Sequence, residues 1–311
     1  MPLPEDSKVV ETSQSILDAF KGIFGSHPGF RPAHAKGAVL TGTFTPTPSA
    51  GTLSSAPHFN QPSTQITARF SSSTGIPNLP DNDANGQPRG FAIRFHLPPS
   101  PENGHRKHTD IITHAVDAFP AATPEETLAF FSAVRDGQIA EHVASHPHAL
   151  TFVQTPKPFP VSFDREIFFG VNAFKLVNGS KTTFIRYRIV PVKGTSYLSE
   201  DQIQSQPGDY LFSNLGEKTP IEFKLVAQIA DLSAGDITND NTYKWPDSRP
   251  VVELGLIKLD KVLDHEESEA LAKNIIFDPI PRVDGVEASD DPLLDLRAGV
   301  YLLSGRERRA A

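Results

Sequence analysis

Two groups of residues in this 311-residue chain have the types and spacing to do chemistry. The stretch "FRPAHAKGAVLTGTF", Phe30 to Phe44, sets His34 between two cations, Arg31 and Lys36, and continues into an apolar run that contains Gly37 and Gly42. A histidine held in such a place can take up and return a proton as a general base and acid. A lone histidine beside a glycine-containing strand serves equally well as a hydrogen-bonded structural residue. Far along the chain, "DPLLDLRAGVYLLSGRERR" carries Arg297 and Tyr301 four residues apart, the spacing that puts both on one face of a helix. A cation beside a phenol favours the phenolate. A phenolate is a good ligand for ferric iron, and tyrosine is among the axial ligands of haem. The same pair also fits an amphipathic C-terminal helix with a solvated arginine and a half-buried tyrosine. Arg69–Phe70, followed by Ser71 and further serines, reads by itself as a strand that ends in a polar turn.

The elements that must position these residues are mostly strands. Alternating apolar and polar residues mark "AVLTGTFTP", "QITARFS", "GFAIRFHLP", "TTFIRYRIVPV" and "IEFKLVAQIA". Phe91, Ile93 and Phe95 alternate with Ala92, Arg94 and His96, and Ile221, Phe223 and Leu225 repeat the pattern. Helices are expected over 9–24, over 123–137, more weakly over "SEDQIQSQPGDYLFSNL", and over "DPLLDLRAGVYLL". Thr123 can cap the second of these, with Glu126 completing a capping box and Gly137 ending it. Long connections run over 46–62, 72–89 and 231–250. With 21 Phe and 28 Pro the composition fits a sheet core wrapped by long loops. The expected organisation is one α+β domain over 1–311, mainly β at its core, with residues 1–27 as an N-terminal helix and arm.

A hydrophobic fraction of 38% and a charged fraction of 21% are those of a globular chain. The net charge of -8 gives no global attraction for nucleic acid or anionic lipid. The absence of cysteine excludes disulfides, thiolate metal ligands, thiolate haem ligands and cysteine nucleophiles. No apolar run is long enough to span a bilayer. Neither a signal peptide nor a peroxisomal signal of the Ser-Lys-Leu type is apparent, so a soluble intracellular location is expected. His142, His146 and His148 in "HVASHPH" read as a solvated turn rather than a metal site, since no carboxylate completes them.

Taken in order, "RPAHAKGAVLTGTF", "ARFSSSTG", "GQPRGFAIRFH", "AFKLVNG" and "DDPLLDLRAGVYLLSGRERR" resemble the haem catalase family, and most closely its minimal, catalase-related peroxidases. The resemblance runs from about residue 28 to 309 and implies a catalase-type antiparallel β-barrel with surrounding helices and long arms. It implies haem b with Tyr301 as the axial iron ligand and Arg297 as its partner. It implies His34 as the distal acid and base, with Ser71 orienting its ring. Arg31, Arg69 and Arg308 fall where the family anchors the haem propionates, and Asp291 where it has an acidic residue behind the axial pair.

The departures are equally specific. The family's distal asparagine would fall in "DIITHAVDAFP", where this chain has His114 and Ala115. A histidine near the axial pair is replaced by Asn172. The chain also ends ten residues after Tyr301, without the wrapping and dinucleotide-binding segments of the large enzymes. The resemblance therefore implies a peroxidase that reduces organic hydroperoxides, or hydrogen peroxide, through a ferryl state, with an electron donor that the residues do not specify. Efficient disproportionation of hydrogen peroxide, rearrangement of lipid hydroperoxides in the manner of allene oxide synthases, and haem carriage without turnover are the competing readings. The short chain leaves room for a homodimer.

Overall fold

A computed structural model describes residues 2–99 and 107–311. Ten strands form one antiparallel sheet: β1 (Gly37–Pro46), β2 (Thr64–Ser71), β3 (Gly90–Leu97), β4 (Lys107–His114), β5 (Phe168–Phe169), β6 (Phe174–Asn178), β7 (Lys181–Pro191), β8 (Ile221–Ile229), β9 (Val251–Val262) and β10 (Val286–Ala288). The neighbour order is β10-β6-β7-β5-β4-β3-β2-β1-β9-β8, and β7 also pairs with β8. That last pairing closes β1, β2, β3, β4, β5, β7, β8 and β9 into an eight-stranded barrel, with β6 and β10 extending from β7. Closure leaves these strands without a free edge, which removes a template for aggregation.

The period-two pattern decides what lies inside. Ile66, Ala68 and Phe70 of β2, Phe91, Ile93 and Phe95 of β3, and Ile221, Phe223 and Leu225 of β8 are all buried in one core. Phe70 stacks on Phe91 and on Phe163, at centroid distances of 4.4 and 4.5 Å. The alternate residues of β2, Thr67, Arg69 and Ser71, are also buried. A polar residue buried on the outer face of a barrel strand must be covered by something outside the barrel. That covered outer face is where the site lies.

Nine helices surround the barrel: α1 (Ser7–Phe24), α2 (Pro48–Leu53), α3 (Pro57–Asn60), α4 (Pro124–Arg135), α5 (Ile139–Ser145), α6 (Pro147–Gln154), α7 (Glu200–Gln204), α8 (His265–Asn274) and α9 (Leu293–Ala310), among the described residues. Helix α1 is a packed element: its Ile16, Leu17 and Phe20 form a second apolar cluster with Leu293 and Leu296 of α9. Thr123 caps α4 by accepting from the Glu126 amide, but the Glu126 carboxylate reaches back to the amide of Ala122, one residue before the cap. The weak helical segment after Ser199 forms only the five residues of α7, where Ser199 and Gln202 make the capping box. Strands β4, β5 and β9, not foreseen from the pattern, complete the barrel.

Candidate active site

One row of residues runs in register across five strands: Gly37 of β1, Ser71 of β2, Gly90 of β3, His114 of β4 and Phe169 of β5. Residues in register on neighbouring strands present their side chains to the same face. The two glycines therefore make a trough. Arg69 fills one part of it: a Cβ on Gly37 would lie 2.4 Å from the Arg69 Nη2. The His34 ring fills the other: a Cβ on Gly90 would lie 2.6 Å from Ser71 Oγ and 2.9 Å from His34 Nδ1. Gly42 serves a different purpose. Its missing Cβ would fall 1.9 Å from the carbonyl oxygen of Lys258, so it lets the β9 backbone approach at the bulge between Thr41 and Gly42.

His34 is the only non-glycine residue among those described with a positive φ, at 60°. A side chain in the left-handed region is strained, and such residues gather at functional sites. The segment is over-determined by its hydrogen bonds. The His34 amide donates to the Ser73 carbonyl at 3.1 Å and the Ala35 amide to that of Thr74 at 3.0 Å. The ring is fixed by the 3.0 Å contact between Nδ1 and Ser71 Oγ, which leaves Nε2 for other work. Burial first, then the charges of Arg69 and Arg31 and the neighbouring His114, with Arg297 further off, push the His34 imidazole down to about 3. It is therefore neutral at ordinary pH and able to accept a proton.

Helix α9 carries the second group. Arg297 Nε donates to Tyr301 Oη at 3.2 Å, across one helical turn. The guanidinium is itself held: its Nη1 donates to the Asn172 side-chain oxygen. Asn172 Nδ2 donates to Asp291 Oδ2 at 2.7 Å, and Asp291 Oδ1 accepts from the Leu293 amide at 2.9 Å at the start of the helix. Asp291, Asn172, Arg297 and Tyr301 thus form one chain of contacts. Burial raises the Asp291 carboxyl above its usual range. Asn172 is the connecting piece that residue spacing alone does not reveal, because it comes from the loop between β5 and β6.

Three further arginines converge. Arg31 Nη2 and Arg308 Nη2 both donate to the Ile275 carbonyl at 3.0 Å, and Arg69 Nη2 donates to that of Ala35 at 3.0 Å. Arg308 is 4% exposed while Arg306 and Arg309 beside it are exposed, so "RERR" is not a uniformly solvated tail. None of the three forms an ion pair among the described residues, and Arg69 Nε is buried without a hydrogen-bond partner. Burial first, then the Arg308 charge, lowers Arg69 to about 9. Burial first, then Arg309, lowers Arg308 to about 10. Arg31 is pushed well below its ordinary value by burial, then by Arg69 and Arg308. Buried cations that repel one another and have no carboxylate of their own fit an anionic group with more than one carboxylate. The propionates of haem have that chemistry, and a phenolate beside Arg297 has the donor chemistry for its iron.

The stacked rings of His142 and His146, 3.9 Å apart, lie elsewhere. Among the described residues no group of three His, Cys, Asp or Glu side chains is arranged to hold a metal ion. No helix among them is long and apolar enough to cross a membrane.

Comparison with known proteins defines the class first. The fold matches the crystal structure of a fungal catalase with a TM-score of 0.79 at 18% identity, covering all of this chain and 64% of that one. At the sequence level the catalase family model matches residues 29–99 and 112–311. A catalase-related peroxidase of Mycolicibacterium paratuberculosis is 31% identical over 96% of this chain and 95% of its own length. A catalase-related peroxidase of Synechococcus elongatus is 29% identical over 96% of this chain and 88% of its own length. Catalase isozyme 1 of Nicotiana plumbaginifolia is 28% identical, and the match covers 61% of it. The chain belongs to the catalase family, a family of haem oxidoreductases that act on peroxide.

Proposed function

We propose that this protein is a haem b peroxidase that reduces organic hydroperoxides to alcohols at the expense of an external electron donor. The observation that carries the reading is the convergence of three arginines without a carboxylate partner, Arg69 and Arg308 buried and Arg31 half-buried, with the His34–Ser71 pair and the Arg297–Tyr301 pair around one outer face of the barrel. The two relatives similar to this chain over nearly its whole length bear the name catalase-related peroxidase, which supports a peroxidase rather than a pure catalase. His114 at the place of the family's distal asparagine supports it further.

Arg31, Arg69 and Arg308 would hold the propionates, and Tyr301, hydrogen-bonded by Arg297, would hold the iron through its phenol oxygen. When bound, haem supplies the two electrons that reduce the O–O bond, and the donor replaces them. His34 Nε2 takes the proton of the hydroperoxide and passes it to the leaving oxygen, so that oxygen departs as an alcohol instead of an alkoxide. Ser71 holds the ring so that this nitrogen, and not Nδ1, meets the substrate. The neutral ring of His34 has a nitrogen free to accept, and once charged it gives the proton up readily.

The reading is tested on one haem-loaded preparation by measuring oxygen release from hydrogen peroxide beside oxidation of an added phenolic donor driven by an alkyl hydroperoxide. Donor oxidation should exceed oxygen release. Vigorous oxygen release with little donor oxidation would instead make the protein a catalase, and conversion of a lipid hydroperoxide to an epoxide without donor consumption would make it a rearranging enzyme.

A further inference from the structure

Tyr197 is the one exposed residue of the chain's five tyrosines, at 37% exposure. It lies in the connection after β7, where it bridges to Pro160, and the next residue, Leu198, donates its amide to the Phe159 carbonyl at 2.8 Å. The Tyr197 Oη donates to Glu166 Oε1 at 2.9 Å, and the same oxygen accepts from the Ile167 amide at 3.0 Å. Glu166 is only 2% exposed. A carboxyl group buried to that degree depends on its donors. One of those donors is a phenol whose ring faces water.

The pair backs onto the trough. Arg89 is fully buried, and its charge acts on Glu166. Its Nη1 donates to Ser72 Oγ at 2.6 Å, and Ser72 follows Ser71, which holds the His34 ring. Arg89 also precedes Gly90, over which that ring lies. Tyr197, Glu166, Arg89 and Ser72 thus lead from the surface to the His34 side of the trough. Burial raises the Glu166 carboxyl to about 7, with the bonds from Tyr197 and Ile167 and then the Arg89 charge drawing it partly back. A carboxylate near 7 is a stronger base than an ordinary one and suits proton transfer at neutral pH. Burial, then the charge and hydrogen bond of Glu166, raises the Tyr197 phenol above its usual range, so it is protonated. A phenol that loses an electron becomes a strong acid, and here a base already holds its proton in a hydrogen bond.

We infer that Tyr197 and Glu166 form a second, surface site at which phenolic donors too bulky for the buried trough are oxidised, Tyr197 relaying one electron at a time to the haem and Glu166 taking the phenolic proton. The inference rests on the peroxidase reading above. Once the hydroperoxide has taken two electrons from the haem, Tyr197 returns one, and its Oη proton crosses the hydrogen bond to Glu166. The neutral tyrosyl radical then takes a hydrogen atom, one electron with one proton, from a donor phenol seated against the exposed ring. The donor leaves as a phenoxyl radical. Glu166 gives up its proton before the next round. Two rounds supply the two electrons and two protons that turn the remaining peroxide oxygen into water. A phenol suits the site because its ring can stack on that of Tyr197, and the O–H bond that breaks is of the same kind as the one that forms.

The test compares parent, Tyr197→Phe and Glu166→Gln in three readouts. In the first, the haem-loaded parent meets cumene hydroperoxide without a donor, and a nitrone spin trap followed by peptide mass spectrometry locates the radical. The adduct should sit on Tyr197. The second is the rate of oxidation of a phenol coupled to dextran, which cannot enter the trough, divided by that of iodide, which is small enough to reach it. A positioned base contributes roughly 10²–10⁴-fold to rate, so both variants should lower this ratio at least about tenfold. The third needs no haem: flash photolysis with a ruthenium polypyridyl oxidant, read with the same trap, should label Tyr197 of Glu166→Gln at least about tenfold more slowly than that of the parent. An adduct elsewhere than Tyr197, or an unchanged ratio in Tyr197→Phe while the parent oxidises both donors, would overturn the relay and leave the peroxidase reading intact. Equal labelling of Tyr197 in Glu166→Gln and parent would remove Glu166 as the base. A parent that the photo-oxidant labels at Tyr197 but that oxidises neither donor with the hydroperoxide would sink the peroxidase reading and the relay with it.

Discussion

His34 and Tyr301 divide the labour of the site, and single substitutions separate them. Tyr301→Phe removes the phenolate and should abolish or severely weaken haem uptake, followed by the Soret band during titration with haemin, while circular dichroism of the unloaded protein stays that of the parent. Unchanged uptake and an unchanged spectrum would take the ligand role away from Tyr301. His34→Ala should take up haem nearly normally and react with a small hydroperoxide about 10²–10⁴-fold more slowly, roughly 3–5 kcal/mol of barrier. A variant that reacts as fast as the parent would make His34 a structural residue. Its left-handed backbone argues against that, because strain on the order of 1 kcal/mol is kept only where the surroundings enforce it.

Helix α9 carries Arg297, Tyr301 and Arg308 on a rod whose placement depends on α1. Gly299, two residues before Tyr301, is where the rods touch: a Cβ there would lie 2.3 Å from Ser13 Oγ and 3.1 Å from Ser13 Cβ. Glycine inside a helix ordinarily costs up to about 1 kcal/mol relative to alanine. Here alanine would force α9 away from α1, and overpacking of that kind costs roughly 1–3 kcal/mol. Gly299→Ala should therefore lower the thermal midpoint and weaken haem uptake together. Adding Ser13→Ala removes the closest clashing atom and should restore part of both. A Gly299→Ala protein with a raised midpoint would show that helix propensity outweighs the contact.

Stability of the whole molecule should depend on acid in a definite direction. His34, His58 and His114 are each pushed down to about 3, in every case chiefly by burial, from an ordinary 6.5. A group whose folded value is depressed binds its proton more readily in the unfolded chain, so its contribution is complete above 6.5 and is lost as pH falls toward 3. Each group can contribute a slope of at most about 1.4 kcal/mol per pH unit in that window. The partial exposure of His34 and His114 reduces their share, and His58, 1% exposed among Phe44, Phe59 and Phe95, contributes most fully. Urea midpoints of the haem-free protein should be level from pH 8 to 7 and fall steadily from 6.5 to 4.5. A level profile down to 4.5 would show that these imidazoles titrate normally. Glu166 opposes part of this fall, because burial pushes its carboxyl up to about 7 and its protonation therefore favours the folded chain, while carboxylates held low in the fold add to the loss only nearer their own range.

Much of this protein was legible in its residues. Period-two alternation determined β1, β2, β3, β7 and β8, because a strand with one face in a core must repeat every second residue. The four-residue spacing of Arg297 and Tyr301 determined their contact, since a helix brings such pairs together whatever surrounds it. The closure of the barrel was decided only by tertiary structure, as pairing of β9 with β1 joins segments far apart in sequence. The same holds for the row from Gly37 to His114, whereas the resemblance had already put Asn172 near the axial pair and Arg308 among the propionate anchors. Local spacing fixes which residues share one turn or one strand face. Which strands lie side by side, and so which distant side chains meet over a glycine, depends on register, and register is set by the packing of the whole barrel.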